Sequence, residues 1–143
     1  MNIAEIAQDT LSATLGTLIG GLLLALLAWL VWPLRWQIHG RAIKRLIADE
    51  RRFNFVFNPS NKMAKEVTFL ADGKIGQGQN GNEHTWRIRK GALEILASDG
   101  RVYSRFRHDR AHGVLKHTND PELRSIPGQY FEPKLVKVTR GAA

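Results

Sequence analysis

Residues 11–32 read LSATLGTLIGGLLLALLAWLVW and contain no charged side chain. At a rise of about 1.5 Å per residue, an apolar helix of about 20 residues spans the hydrocarbon core of a bilayer. A helix also satisfies its own backbone hydrogen bonds in lipid. The stretch therefore predicts a transmembrane helix over residues 11–34, preceded by a short non-cytoplasmic N-terminus of residues 1–10.

A cleavable signal peptide is the main alternative for this stretch. Signal peptides begin with a basic segment, whereas the residues before this helix carry only Glu5 and Asp9 as charges. The apolar run leads into Trp32, Pro33 and Arg35 instead of a small-residue cleavage site. The flanks therefore favour a retained membrane helix.

The distribution of charge predicts the orientation of that helix. The chain has 143 residues and a net charge of +8, and all 21 Lys and Arg follow position 34. Basic flanks stay on the cytoplasmic side during insertion, and tryptophans such as Trp29 and Trp32 prefer the headgroup level. We expect a single-pass protein of the cell inner membrane, with the N-terminus outside and the C-terminal domain cytoplasmic. The absence of cysteine excludes disulfides and thiolate catalysis.

Small residues recur every four positions on one face of the predicted helix, at Ser12, Gly16 and Gly20. Such a face lets a second membrane helix approach closely. It predicts packing against a second copy of the chain or against another membrane subunit. The alternative is that glycine is simply common in membrane helices.

Residues 35–52 predict a basic amphipathic helix, in which Ile38, Ile43 and Ile47 share one face. Two interpretations stay open. The helix lies on the inner leaflet with its cations on anionic headgroups, or it packs on the soluble domain. In the first interpretation the membrane-surface residues are Arg35, Trp36, Arg41, Lys44 and Arg45.

From residue 53 onward the apolar period changes from helical to two, with turn residues between short runs. Asp72-Gly73 and Asp99-Gly100 are hairpin signals of the type I′ kind. Residues 53–143 therefore predict a cytoplasmic β domain of about six to eight strands, the last over residues 135–139. The expected fold is one N-terminal transmembrane α-helix plus a small all-β soluble domain, either an antiparallel meander or a small barrel.

Alternation also predicts a basic outer face on the strands. If Trp86, Ile88, Val102 and Phe106 face inward, the residues between them face outward. The membrane tether favours anionic lipid or an acidic partner subunit as its target, and nucleic acid is not an expected partner. A solvated strand face is the alternative. The outward set comprises Arg87, Arg89, Arg101, Tyr103, Arg105 and Arg107.

Residues 73–86 form the least generic stretch, GKIGQGQNGNEHTW. Its glycines do not form a dinucleotide site, because no helix pattern follows them. The polar residues after Asn80 predict a ligand site at a cavity mouth, and the alternative is turn and core architecture. The predicted ligand-binding residues are Asn82, Glu83, His84 and Trp86, with Arg87 and Arg105 receiving an anionic group.

Three histidines at positions 108, 112 and 117 invite a metal-site interpretation together with Asp109 and Asp120. Neighbouring cations disfavour a metal ion, and no helical register aligns the imidazoles. We expect loop histidines, no metal and no cofactor. Motifs for nucleophilic, phosphate-binding or paired-carboxylate chemistry are missing, so the sequence predicts no enzyme.

The pattern over residues 69–106 resembles small β modules found beside bacterial sugar-transferring enzymes. The resemblance implies a bacterial β module and brings none of the residues that perform sugar transfer. It uses mostly turn and core positions: Phe69, Asp72-Gly73, Ile75-Gly76, Asn80, Asn82-Glu83, Trp86-Arg87-Ile88, Gly91, Leu93, Asp99-Gly100 and Phe106.

Two functions are consistent with these features. The first is an inner-membrane accessory or assembly subunit whose β domain binds a partner protein or the membrane surface. The alternative is a membrane-tethered sensor whose β domain binds an anionic small molecule, a nucleotide or phosphosugar, and signals through helix association.

Overall fold

The computed structural model describes residues 3–50 and 52–134, with the backbone alone for residues 3–20, 30, 49 and 50. The chain divides into two compact units, Met1–Arg35 and Trp36–Ala143. One helix is followed by seven strands. The elements are α1 (Ile3–Glu50), β1 (Arg52–Asn58), β2 (Met63–Thr68), β3 (Thr85–Arg89), β4 (Ala92–Leu96), β5 (Val102–Asp109), β6 (Val114–His117) and β7 (Tyr130–Pro133).

Of α1 in the first unit, the described side chains are those of residues 21–29 and 31–35, and all of them are exposed. Leu24 is 70% exposed, Trp29 76% and Trp32 60%. Among the described residues one helical segment, Gly21–Ala48, is long and apolar enough to cross a membrane. Pro33 lies inside α1, which continues to Glu50. Ser12, Gly16 and Gly20 lie on α1, and their packing falls outside the described side chains.

The strands form one antiparallel sheet in the order β2-β1-β7-β6-β5-β4-β3. Strands β3 to β7 make a meander, and the β1–β2 hairpin is added through the pairing of β1 with β7. The sheet is curled into a half-barrel, which confirms the predicted small all-β domain. The predicted strand over residues 135–139 lies outside the described residues.

The loop between β2 and β3 connects the two edge strands of the sheet. The Gly76 N–H donates to the Thr68 carbonyl at 2.9 Å, and the Ile75 N–H donates to the His84 carbonyl at 3.1 Å. These bonds give backbone partners to edges that are otherwise free to pair with other chains. Gly78 has φ +80°, and a Cβ there lies 2.5 Å from the Glu66 carbonyl oxygen, so only glycine fits.

The predicted turn types are partly wrong. Asp99-Gly100 does join β4 to β5, but among its two residues only Gly100 has positive φ, as in a longer turn built on type I geometry. The two-residue type I′ turn joins β3 to β4 instead, since Lys90 has φ 49° and Gly91 φ 71°. Arg89 and Ala92 pair directly across it.

A cluster of aromatic rings fills the inner face of the sheet. Phe55 and Phe131 stack at 4.2 Å between ring centroids, and Phe106 meets Phe131 edge-on at 4.7 Å. Phe53 and Phe69 complete the cluster, and each of the five rings is at most 4% exposed. The period of two therefore identified the core face of these strands.

The second half of α1 covers this inner face. Ile43 is fully buried and Ile47 is 5% exposed in the same core. A Cβ at Gly40 lies 3.3 Å from the Ile88 side chain, so glycine permits the close approach of helix and sheet. Of the two interpretations left open for residues 35–52, packing on the soluble domain describes this segment. Its cations Arg41, Lys44 and Arg45 remain exposed.

Candidate functional site

Glu83, one of the six predicted ligand residues, is held in an ion pair. It is 4% exposed, and its Oε2 lies 2.9 Å from Lys65 Nζ. Lys65 also donates to the Gly78 carbonyl at 2.8 Å. The carboxylate therefore fastens the β2–β3 loop to β2.

Asn82 and His84 are exposed, and the turn around them is held by local hydrogen bonds. Asn80 Oδ1 accepts the backbone N–H groups of Asn82 and Glu83, both at 2.8 Å. The His84 Nδ1 lies 2.7 Å from Gln79 Nε2. This is the arrangement expected from an Asx turn.

Trp86 lies apart from that turn, in a groove beside α1. Its indole N–H donates to the Leu70 carbonyl at 3.0 Å, and its ring meets Phe69 edge-on. The groove has a volume of about 610 Å³ and is mostly apolar, with Lys44 and Arg52 among its lining residues. The structure therefore does not bring the six predicted residues into one site, and the sensor function stays a prediction.

Arg87 and Arg105 converge on Glu94 on the outer face of the sheet. Glu94 is 3% exposed and lies between them in register, with Arg87 Nε at 2.8 Å and Arg105 Nε at 3.2 Å from its two oxygens. Arg105 also pairs with Asp120 at 2.5 Å. We call Arg87, Glu94, Arg105 and Asp120 the Glu94 cluster.

The Glu94 cluster also controls the ionisation of Asp120. Partial burial acts to raise the pKa of this carboxyl, but hydrogen bonds from Thr118 and Arg105 outweigh it and lower the pKa below its ordinary value. Asp120 is therefore ionised at neutral pH and neutralises Arg105. Arg87 and Arg105, two of the six predicted ligand residues, are thus already paired with carboxylates of the chain itself.

The cations left on the outer face form a line across three strands. Arg107 on β5 pairs directly with Lys116 on β6. Arg89 on β3 pairs with Ala92 on β4. Leu93 pairs with Phe106 in the antiparallel β4–β5 ladder, so the preceding residue, Ala92, lies opposite the following one, Arg107. Among the described residues no carboxylate lies within ion-pair distance of these three exposed cations. We call Arg89, Arg107 and Lys116 the cationic row.

The cationic row lies at the end of the second unit where the chain enters from residue 35. The β3–β4 turn contacts Trp36, whose ring centroid is 5.7 Å from Lys90 Nζ. The β5–β6 turn begins beside His108. Burial and the charge of Arg110 lower the pKa of this imidazole, and the charge of Asp109 opposes them only in part.

Two features of this surface were not recognised in the sequence. Glu94 lies in the apolar run ALEIL, where nothing in the sequence distinguishes a buried carboxylate from an exposed one. Lys116 becomes a partner of Arg107 only through the register of β5 and β6. Among the described residues, no group of three His, Asp or Glu is arranged to hold a metal ion.

The residues behind the resemblance to modules beside sugar-transferring enzymes occupy turns and core positions. Gly73 and Gly100 have positive φ in turns, and Leu93 and Phe106 are fully buried. These positions account for a β fold. No protein-family model, curated protein or solved structure matches the chain.

Proposed function

We propose that the chain is a single-pass protein of the bacterial inner membrane that acts as an accessory subunit of a membrane complex. Its N-terminus lies outside and its second unit, Trp36–Ala143, lies in the cytoplasm. The observation that carries the proposal is α1 itself. The helix exposes its described apolar side chains over residues 21–34 and buries Ile43 and Ile47 in the β-sheet core.

Both the exposed apolar part of α1 and the part buried in the β domain support the proposal. An apolar helix surface of this extent is unfavourable in water and favourable in lipid. The second part of the same helix belongs to the β domain, because Ile43 and Ile47 lie in the core of the sheet. Glu83, Arg87 and Arg105 are engaged in ion pairs within the β domain, and this favours a binding role over catalysis.

The orientation is testable because the chain has no cysteine. A Ser60→Cys variant places a thiol in the exposed β1–β2 turn, and Asn2→Cys places one before the helix. In intact spheroplasts, a membrane-impermeant maleimide is expected to label Asn2→Cys at once and Ser60→Cys only after permeabilisation. The reverse pattern contradicts the proposed orientation, because positive flanks then lie outside.

The accessory role predicts a partner in the membrane. Full-length protein extracted in mild detergent is expected to migrate in native mass spectrometry as a complex with a second subunit or a second copy. Gly16→Leu and Gly20→Leu are expected to weaken that complex. Gly21→Leu makes the same change about 100° further around the helix, where an added Cβ has nothing within 4 Å, and serves as the control. A monomer that copurifies with no subunit contradicts the accessory role.

A further inference from the structure

The cationic row places like charges directly against one another. Arg107 and Lys116 are cross-strand partners, and like charges in that arrangement destabilise a sheet. One row further along the same strands, Glu94 and Asp120 together neutralise Arg87 and Arg105. In the cationic row, Arg107 feels the charge of Asp120, but among the described residues none of the three cations has a carboxylate within ion-pair distance.

The cationic row lies close to Trp36, and this position indicates the source of an anionic partner. Lys90 and Gly91, next to Arg89, contact Trp36, the first residue of the second unit. Trp36 follows directly after the residues proposed to cross the bilayer. The row is thus near the entry point of the chain, where a leaflet rich in anionic lipid presents phosphate groups.

We propose that the cationic row docks on phosphate-bearing headgroups of anionic lipids in the membrane that the helix crosses; this inference rests on the proposed function. Each Lys or Arg near an anionic leaflet contributes about 1 kcal/mol, or about fivefold in the docking equilibrium. Indole rings prefer the headgroup level, so Trp36 supports the same placement. Docking fixes the β domain against the leaflet.

The test uses the full chain in lipid nanodiscs, with Ala111→Cys in the exposed β5–β6 turn carrying a fluorophore. A headgroup-attached paramagnetic lipid quenches the fluorophore when the turn meets the leaflet. Quenching is expected in discs of phosphatidylcholine with phosphatidylglycerol and is expected to fall in discs of phosphatidylcholine alone. High salt is expected to abolish the difference, because the charges are exposed.

A double substitution isolates the row. Arg107→Gln with Lys116→Gln is expected to lower the docked-to-undocked ratio about 30-fold in anionic discs. Lys62→Gln with Arg124→Gln makes the same change of charge at exposed positions outside the row and is expected to leave quenching unchanged. Near-ultraviolet circular dichroism checks that each variant is folded.

Three results overturn the inference: equal quenching in both kinds of disc, loss of quenching in the Lys62/Arg124 variant, or unchanged quenching in the Arg107/Lys116 variant. None of these alters the maleimide labelling pattern or the copurification of a subunit. Failure of the docking surface is therefore distinguishable from failure of the proposed function.

Discussion

Replacing Ile43 by alanine is expected to destabilise the β-sheet by about 3 kcal/mol, although Ile43 belongs to the helix and to no strand. Its side chain is fully buried in one core with Phe53, Phe69 and Leu93. Alanine there removes apolar contact and leaves a cavity that the surrounding aromatic rings fill only in part. Urea unfolding of the full chain in detergent, followed by hydrogen exchange of the strand amides, measures the change.

Ile38→Ala provides a control on the same helix, with the same atoms removed. Ile38 is 46% exposed, so its loss is expected to cost less than about 1 kcal/mol. Equal effects of the two substitutions would contradict the assignment of residues 36–48 to the core of the β domain. The expected difference also implies that residues 53–143 alone lack part of their core.

The amphipathic pattern of residues 35–52 predicted that Ile43 and Ile47 share an apolar face. It left open what covers that face, because lipid and a sheet are equally apolar partners for isoleucine. The strands were predicted by their alternation, which is local. The pairing of β1 with β7 joins residues far apart in sequence, such as Phe53 and Pro133, and no local pattern specifies it.

Register explains most of what the sequence could not show about the site. Alternation placed Arg87, Arg89, Arg105 and Arg107 on one face, and the structure has them there. Which of these cations is neutralised depends on β4, the strand between β3 and β5. Glu94 of β4 lies between Arg87 and Arg105, whereas Ala92 lies between Arg89 and Arg107. From the sequence alone, a carboxylate between Leu93 and Ile95 is expected to be an ordinary exposed residue of a strand.

Glu94→Ala is expected to destabilise the fold by about 2–3 kcal/mol. Removal of one member of a buried ion pair costs about 3–5 kcal/mol because the remaining charge loses its partner. The side chains of Arg87 and Arg105 are 43% and 28% exposed, so water solvates part of the charge that is left and reduces this cost. Urea unfolding of the full chain in detergent is again the measurement.

Glu122→Ala tests whether burial of the carboxylate is the cause. Glu122 lies 3.6 Å from Arg105, but its side chain is 65% exposed, and its loss is expected to cost less than about 0.5 kcal/mol. If the two substitutions have equal effects, Glu94 behaves as a surface ion pair and the Glu94 cluster does not organise the sheet. A triple variant with Arg87→Met, Glu94→Leu and Arg105→Met removes all three charges together. It is expected to recover most of the lost stability, because no buried charge is left without a partner. Asp120 loses Arg105, but its side chain is 30% exposed and is solvated by water.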